Sequence, residues 1–381
     1  MPHSSTSKLL ASLLLCLSIA HAQEATPLAL DKPIQRELPG GQAHSYLANL
    51  GANQFLHLVV EQRGIDVEVI LKTPDGKELL KVDSPNGSNG PEPLSFVSEL
   101  NGNYQIIVQS PDAKAKPGTY EIRVFAWRPA TAGDQVIAAA SQQYLASQAL
   151  LFQKKRAEAI ALEEKIFADL EQQFGKDNAS LLSYPQNVVK WYSDLLCKKG
   201  ARTADTKGDF GTAEAFYLRA IALLENKFGK DSREVLNVSN DLGAVYYDQG
   251  SFTKSAQMFQ QVLEIRRKLL PPESPDIAIS LTNLAALRYK EGNYFDAEQL
   301  YQQAKTAWEK LGRKEVFQAL NGLAIINLER GDYDQSETQW QKTLEIICTI
   351  FTICWPGLTL NNTLLPNAVS LTLSVNSLAI L

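Results

Sequence analysis

The hydrophobic period of the chain changes near residue 129. Up to that point apolar and polar residues alternate in several short runs, for example over residues 65–71, 104–108 and 120–124. A period of two predicts strands with one buried face. Beyond Pro129 the period is 3.6, which predicts helices. The pattern therefore predicts an N-terminal all-β, antiparallel sandwich of six to eight strands over residues 27–128, followed by an all-α domain over residues 132–345.

A motif repeats through the helical domain at intervals of 42, 42 and 39 residues. Each copy has a glycine followed two positions later by an aromatic residue, with a small residue five positions and a second aromatic nine positions after the glycine. The glycines are Gly208, Gly250, Gly292 and Gly331. A fixed period of this size is typical of stacked helix pairs, each of which buries its apolar face only against its neighbours. The spacing predicts a superhelical solenoid.

These offsets resemble the tetratricopeptide (TPR) repeat, and the period resembles its kinesin-light-chain type. In that family, peptides lie along a concave groove lined by the first helix of each repeat. Carried over to this sequence, the resemblance implies a peptide groove formed by Asn237, Asn240, Ala244, Tyr247, Asp248, Ile279, Thr282, Ala286, Tyr289, Lys290, Gln318, Asn321, Ile325, Leu328 and Glu329. Asparagine amides both donate to and accept from a peptide backbone. They also serve as caps or helix-to-helix bonds, and the sequence leaves both readings open.

Two predictions concern the beginning of the solenoid. The sequence Phe-Gly-Lys-Asp at 174–177 recurs at 228–231, which is 54 residues later and exceeds one repeat by about a dozen residues. The extra residues are predicted to form a loop around 198–206. Residues 137–173 are predicted to form a degenerate first repeat.

In the N-terminal region, the order of short motifs resembles the bacterial pre-peptidase C-terminal (PPC-like) jelly-roll domain. The motifs lie at 42–46, 66–69, 74–76, 102–104 and 117–122. The resemblance implies a non-catalytic accessory domain of an exported protein, and some members of that family bind calcium. Asp66, Asp75, Asp83 and Glu99 offer the hard oxygen ligands that calcium prefers. The favoured reading is that they are solvated turn and edge acids, so no metal site is predicted.

Residues 1–22 have the pattern of an export signal. Lys8 precedes an apolar run that ends before Ala20-His21-Ala22, a small-x-small cleavage site. The run is too short for a stable membrane anchor. We therefore expect an exported protein, and the resemblances to the PPC-like domain and to the 42-residue repeats imply a bacterial one, in the periplasm or the cell exterior. The net charge of −5 does not suggest nucleic-acid binding.

This sequence contains few candidate catalytic residues. Of the four histidines, only His44 and His57 lie beyond the signal, and neither has an obvious partner. Cys197 lies in an apolar helical stretch and is predicted to be a buried structural thiol. Cys348 and Cys354 lie six residues apart, and the sequence leaves open whether they pair with each other. No phosphate-binding loop, dinucleotide fingerprint or nucleophile elbow occurs, so no cofactor and no catalytic residue are predicted.

The C-terminal segment 346–381 contains no charged residue and ends in a partial repeat. The sequence leaves three accounts of it open: a truncated or frameshifted gene product, an atypical inserted loop, and a membrane-interacting tail. Pro356-Gly357 interrupts it, so it is expected neither to continue a helix nor to span a membrane. The predicted function is a non-enzymatic, exported protein-interaction scaffold. The alternative is a truncated sensor or regulatory arm of a caspase-like CHAT cysteine protease whose catalytic domain is missing, because the domain order resembles the front half of such proteins. The oligomeric state and the partner's identity are not predicted.

Overall fold

The computed structural model describes residues 25–84, 86–176 and 179–354. The described chain begins with nine strands: β1 (Thr26–Pro27), β2 (Ile34–Leu38), β3 (Ala43–Leu50), β4 (Gln54–Arg63), β5 (Glu68–Lys72), β6 (Glu78–Val82), β7 (Asn89–Val97), β8 (Gly102–Gln109) and β9 (Gly118–Pro129). Ten helices follow: α1 (Ala132–Phe152), α2 (Arg156–Phe174), α3 (Gln186–Lys207), α4 (Phe210–Phe228), α5 (Arg233–Asp248), α6 (Phe252–Leu269), α7 (Pro275–Lys290), α8 (Tyr294–Lys310), α9 (Val316–Glu329) and α10 (Tyr333–Cys354). The predicted order of a β-sandwich followed by a helical solenoid is confirmed.

The strands form two sheets. One has the order β1-β3-β8-β5-β6 and the other the order β2-β9-β4-β7. All pairs are antiparallel except β1 with β3, which is parallel and departs from the purely antiparallel prediction. The alternating apolar residues of β5, β8 and β9 face inwards, and each is at most 1% exposed: Val69, Leu71, Tyr104, Ile106, Val108, Tyr120, Ile122 and Val124. The period-two pattern therefore selects the face that forms the core.

The chain divides into two compact units between Gln173 and Phe174. The first unit contains all nine strands together with α1 and α2. Helix α1 packs against β7, and its half-buried Leu145 contacts the sandwich core. His57, on β4, is buried at 1% exposure, and its Nδ1 lies 2.6 Å from Ser95 Oγ. The predicted first repeat, residues 137–173, falls on α1 and α2.

The second unit is a run of helix pairs in which a glycine closes each turn. Gly250, between α5 and α6, has φ +79°, a conformation that side chains with a Cβ rarely adopt. The aromatic residue that follows the glycine begins the second helix of the pair. The small residue of each second helix is buried (Ala213, Ser255, Ala297 and Ser336). The glycine of the motif therefore lies in the turn between the two helices, and the small residue lies where the two helices pack closely. The second aromatic residue fills the space beside this contact.

Two local predictions are wrong. Helix α3 continues without interruption through residues 198–206, where a loop was expected. The glycine in this segment, Gly200, packs closely against the ring of Tyr217, so it serves helix packing and not a turn. Helix α10 extends to Cys354 and thus continues into the uncharged segment. The remainder of that segment, the signal-like residues 1–22 and the side chains of Cys348 and Cys354 lie outside the described part of the chain.

Candidate functional site

The first helices of the repeats lie side by side in the second unit. Helix α5 contacts α3 and α7, and α7 contacts α9, whereas the second helices approach one another less closely. A stack whose first helices are closer together than its second helices curves with the first helices on the inside. We call the stripe of α5, α7 and α9 that carries the predicted groove positions the first-helix face. It carries the predicted groove residues Asn237, Asn240, Tyr247, Asp248, Thr282, Tyr289, Lys290, Gln318, Asn321 and Glu329.

Accessibility differs among these ten residues. Asn237, Asp248, Lys290 and Glu329 are exposed. Tyr247, Thr282, Tyr289 and Gln318 are partly exposed. Asn240 and Asn321 are buried, at 6% and 5% exposure. The first-helix face therefore presents mainly tyrosine and charged side chains to a ligand.

The asparagines on this face make helix-to-helix hydrogen bonds. Asn283 Nδ2 donates to Asn240 Oδ1 at 3.1 Å, which joins α7 to α5. Trp340 Nε1 donates to Asn321 Oδ1 at 3.2 Å, and Arg266 Nη2 donates to Asn237 Oδ1 at 2.6 Å. These contacts favour the structural reading of the asparagine amides over the peptide-binding one.

The tyrosines are more available than the asparagines. Tyr289 packs at 5.5 Å from the ring of Tyr294, and its hydroxyl donates to Glu329 Oε1 at 3.3 Å. Tyr247 packs at 6.0 Å from Phe252. Burial, followed by the neighbouring Asp248 charge, raises the pKa of Tyr247 to about 12. Both tyrosines are thus neutral hydroxyls on half-exposed rings, suited to contact a partner with apolar area and a polar tip.

Sequence reasoning missed two acids of this region, Asp205 and Asp241. Asp241 lies four residues after Asn237 and seven before Asp248, so the helical period was the signal that places it in the same stripe. Loss of surrounding water, followed by the Asp194 charge, raises the pKa of Asp241 to about 6. Loss of water and then the charge of Asp205 raise the pKa of Asp248.

The cysteine and the acids that the sequence analysis singled out make structural contacts. Cys197 lies beside Ala213 and Tyr217, and burial raises the pKa of its thiol. The carboxylate of Asp75 accepts a hydrogen bond from the hydroxyl of Thr73 within the turn. Burial raises the pKa of Asp66, with the charges of Asp83 and Glu68 adding to the effect. Across residues 25–84, 86–176 and 179–354, no three His, Cys, Asp or Glu side chains are arranged to hold a metal ion.

No helix within those same ranges is both long and apolar enough to cross a membrane.

A family model described as tetratricopeptide repeat matches residues 204–268 and 276–348. These stretches cover most of the helical pairs from α4 to α10. The helical unit therefore contains TPR repeats, as the glycine and aromatic offsets predicted. A search of curated proteins finds no match.

Several solved structures are similar to parts of the chain. BtubC (BKLC) from P. vanneervenii is 18% identical over 61% of this chain and 95% of its own, with a TM-score of 0.40. A Rap protein complexed with competence and sporulation factor is 18% identical over 55% of this chain and 54% of its own, with a TM-score of 0.44. The pre-peptidase C-terminal domain of collagenase from Bacillus anthracis is 23% identical over 27% of this chain and 95% of its own, with a TM-score of 0.23.

Proposed function

We propose that this protein is a non-enzymatic interaction scaffold that holds an extended protein segment against the first-helix face of its TPR repeats. The observation that carries the proposal is the presence of half-exposed Tyr247 and Tyr289 on adjacent first helices of matched TPR repeats. Tyrosine supplies a large contact area at low cost in side-chain entropy, which is why it is enriched among residues that dominate binding. The β-sandwich is proposed to be an accessory domain.

Export is part of the same proposal. It is supported by the positive, apolar and small-residue pattern of residues 1–22. N-terminal sequencing of protein secreted by a bacterial host is expected to find a mature chain that begins at Gln23. An uncleaved chain retained in the cytoplasm would contradict this part.

Replacing both tyrosines is expected to weaken peptide binding strongly. Peptides selected on the full chain from a random phage-displayed library should bind the Tyr247→Ala/Tyr289→Ala variant about tenfold or more weakly, because two contact side chains are truncated. Binding is measured by fluorescence anisotropy, well below the unfolding temperature of the variant. This precaution is needed because both rings also pack against the buried core of the repeats.

The matched control is Phe295→Ala, which removes an aromatic side chain that is 66% exposed on the second helix of the same pair. It should leave the affinity unchanged. Selected peptides that bind the double tyrosine variant as tightly as the original chain would place the binding surface elsewhere.

A further inference from the structure

The solenoid holds one of its own lysines in a cradle built from a tyrosine and a glutamate. The hydroxyl of Tyr246 donates to Glu214 Oε1 at 2.6 Å. Lys254 Nζ lies 4.8 Å from the centre of the Tyr246 ring and 3.3 Å from Glu214 Oε1. The aromatic face and the carboxylate attract the ammonium group together. A Tyr–Glu pair on two neighbouring helices of this solenoid therefore binds a cationic side chain.

A second Tyr–Glu pair lies on the first-helix face without such a cation. Tyr289 on α7 donates to Glu329 on α9 at 3.3 Å, and Glu329 is exposed. Within the described ranges, no lysine or arginine forms an ion pair with Glu329 or lies over the Tyr289 ring. Lys290 is adjacent in sequence and exposed, yet it forms no ion pair with this carboxylate. The pair therefore offers an aromatic face and a free carboxylate to an external cation.

Two further acids extend this surface toward the start of the solenoid. Asp248 on α5 and Asp205 on α3 are both exposed, and their like charges act on each other. Neither has an ion pair among the described residues. The cations at the corresponding positions are Lys198 and Arg202 on α3 and Lys290 on α7, and Lys198 is held in an ion pair within α3. A partner that brings positive charge would relieve the repulsion between these carboxylates, whereas an acidic partner would add to it.

We propose that the first-helix face recognises the lysine or arginine side chains of an extended protein segment, with one such side chain seated on the Tyr289 ring and paired with Glu329. A second cationic side chain of the same segment pairs with the exposed Asp248 on α5. The proposal rests on the function proposed above and names the chemical class of its partner. It excludes segments that depend on acidic residues or on an acidic chain end.

The test uses the full chain and three fluorescein-labelled twelve-residue peptides. The peptides share one pattern of alanine and tyrosine and carry arginine, glutamine or glutamate at the remaining positions. The arginine peptide is expected to bind about tenfold more tightly than the glutamine peptide at low salt, and raising the salt should reduce the difference. The glutamate peptide should bind most weakly.

Substitutions in the protein test where the arginine side chains of the peptide bind. Glu329→Gln combined with Asp248→Asn should reduce the affinity for the arginine peptide about tenfold, and that for the glutamine peptide by much less, because the glutamine peptide brings no cation. Tyr289→Phe keeps the aromatic face and should keep most of the affinity, whereas Tyr289→Leu should lose it. Lys290→Gln should strengthen binding of the arginine peptide. Glu214→Gln is the matched control, because Lys254 already occupies that cradle, and it should have no effect.

The outcomes separate this proposal from the function on which it rests. Arginine and glutamine peptides that bind equally, with both dependent on Tyr247 and Tyr289, would overturn the cation preference and leave the scaffold function standing. An arginine preference that survives Glu329→Gln/Asp248→Asn would also overturn it. Peptides whose binding ignores both tyrosines would contradict the scaffold function itself.

Discussion

Arg266→Ala is expected to lower the free energy of unfolding of the helical unit by about 4 kcal/mol, because it leaves buried acceptors unpaired and opens a cavity. Arg266 is 2% exposed. Its Nη1 donates to the backbone oxygen of Asp276 at 2.8 Å and to Ser280 Oγ at 2.7 Å. Its Nη2 donates to Asn237 Oδ1 at 2.6 Å. One side chain on α6 thus joins α7 to α5. Urea unfolding followed by tryptophan fluorescence measures the loss.

The neighbouring Arg267 provides the control. It is exposed and makes one bond, from its Nη2 to Gln303 Oε1 at 3.1 Å, so Arg267→Ala should change stability by no more than about 0.5 kcal/mol. Arg266→Met fills most of the volume but supplies no donors. Its loss, which we expect to lie between the other two, separates the hydrogen bonds from the packing. Arg266→Ala as stable as Arg267→Ala would show that the network does not hold the repeats together.

Arg266 also illustrates what the sequence does not reveal. It belongs to the run Arg266-Arg267-Lys268 in the last turn of α6, and such a run is normally a solvated basic end that favours the helix dipole. Arg266, the first of these three cations, is buried because α7 and α5 pack around it. The prediction that a helix exists here needs only the apolar period, whereas the burial of one cation needs the neighbouring repeats.

The candidate site divides in the same way. The 42-residue period places Tyr247 and Tyr289 at equivalent positions of adjacent first helices, and the structure brings the latter to Glu329 as one pair. The same period could not show that Asn240 and Asn321 use their amides between helices, because one acceptor oxygen serves a neighbour or a ligand equally well. Sequence therefore predicts which stripe of a helix is presented, and tertiary contacts decide which side chains in it are free.

The loop wrongly predicted at 198–206 has a related cause. Its glycine, threonines and lysines are typical of loops by composition, yet Gly200 lies where a Cβ would be 3.0 Å from the ring of Tyr217, so a larger residue would crowd this helix contact. Thr203 and Thr206 donate to the backbone oxygens of Lys199 and Arg202, one turn earlier, which is compatible with a helix. Local propensity was overridden by packing against α4.

Glu92→Gln is expected to remove a pH dependence of stability of about 3 kcal/mol from the sandwich. Glu92 is fully buried on β7, where its Oε1 accepts from Gln62 Nε2 at 3.2 Å and its Oε2 from the backbone N–H of Ser84 at 2.7 Å. Burial raises its pKa from 4.5 to about 7.

The folded state therefore holds a proton on Glu92 that the unfolded state releases at lower pH. This contribution is fully present below 4.5 and is lost as the pH rises through about 7. Calorimetric unfolding of the full chain, from about pH 4 to about pH 8, measures it.

The sign of the effect distinguishes this carboxyl group from His44, a titrating group of the same unit. Burial, and then the Arg36 charge, lower the pKa of His44, so its contribution has the opposite sign: it is present above 6.5 and is lost as the pH falls. The contribution of His44 to the pH dependence cancels when Glu92→Gln is compared with the original chain, because both proteins contain this histidine. Glu99→Gln, at an exposed glutamate of the same unit, should run parallel to the original chain. If Glu92→Gln also ran parallel to it between about pH 4 and pH 8, the buried carboxyl group would not take up a proton on folding, and its hydrogen bonds to Gln62 and Ser84 would have to stabilise the charged form instead.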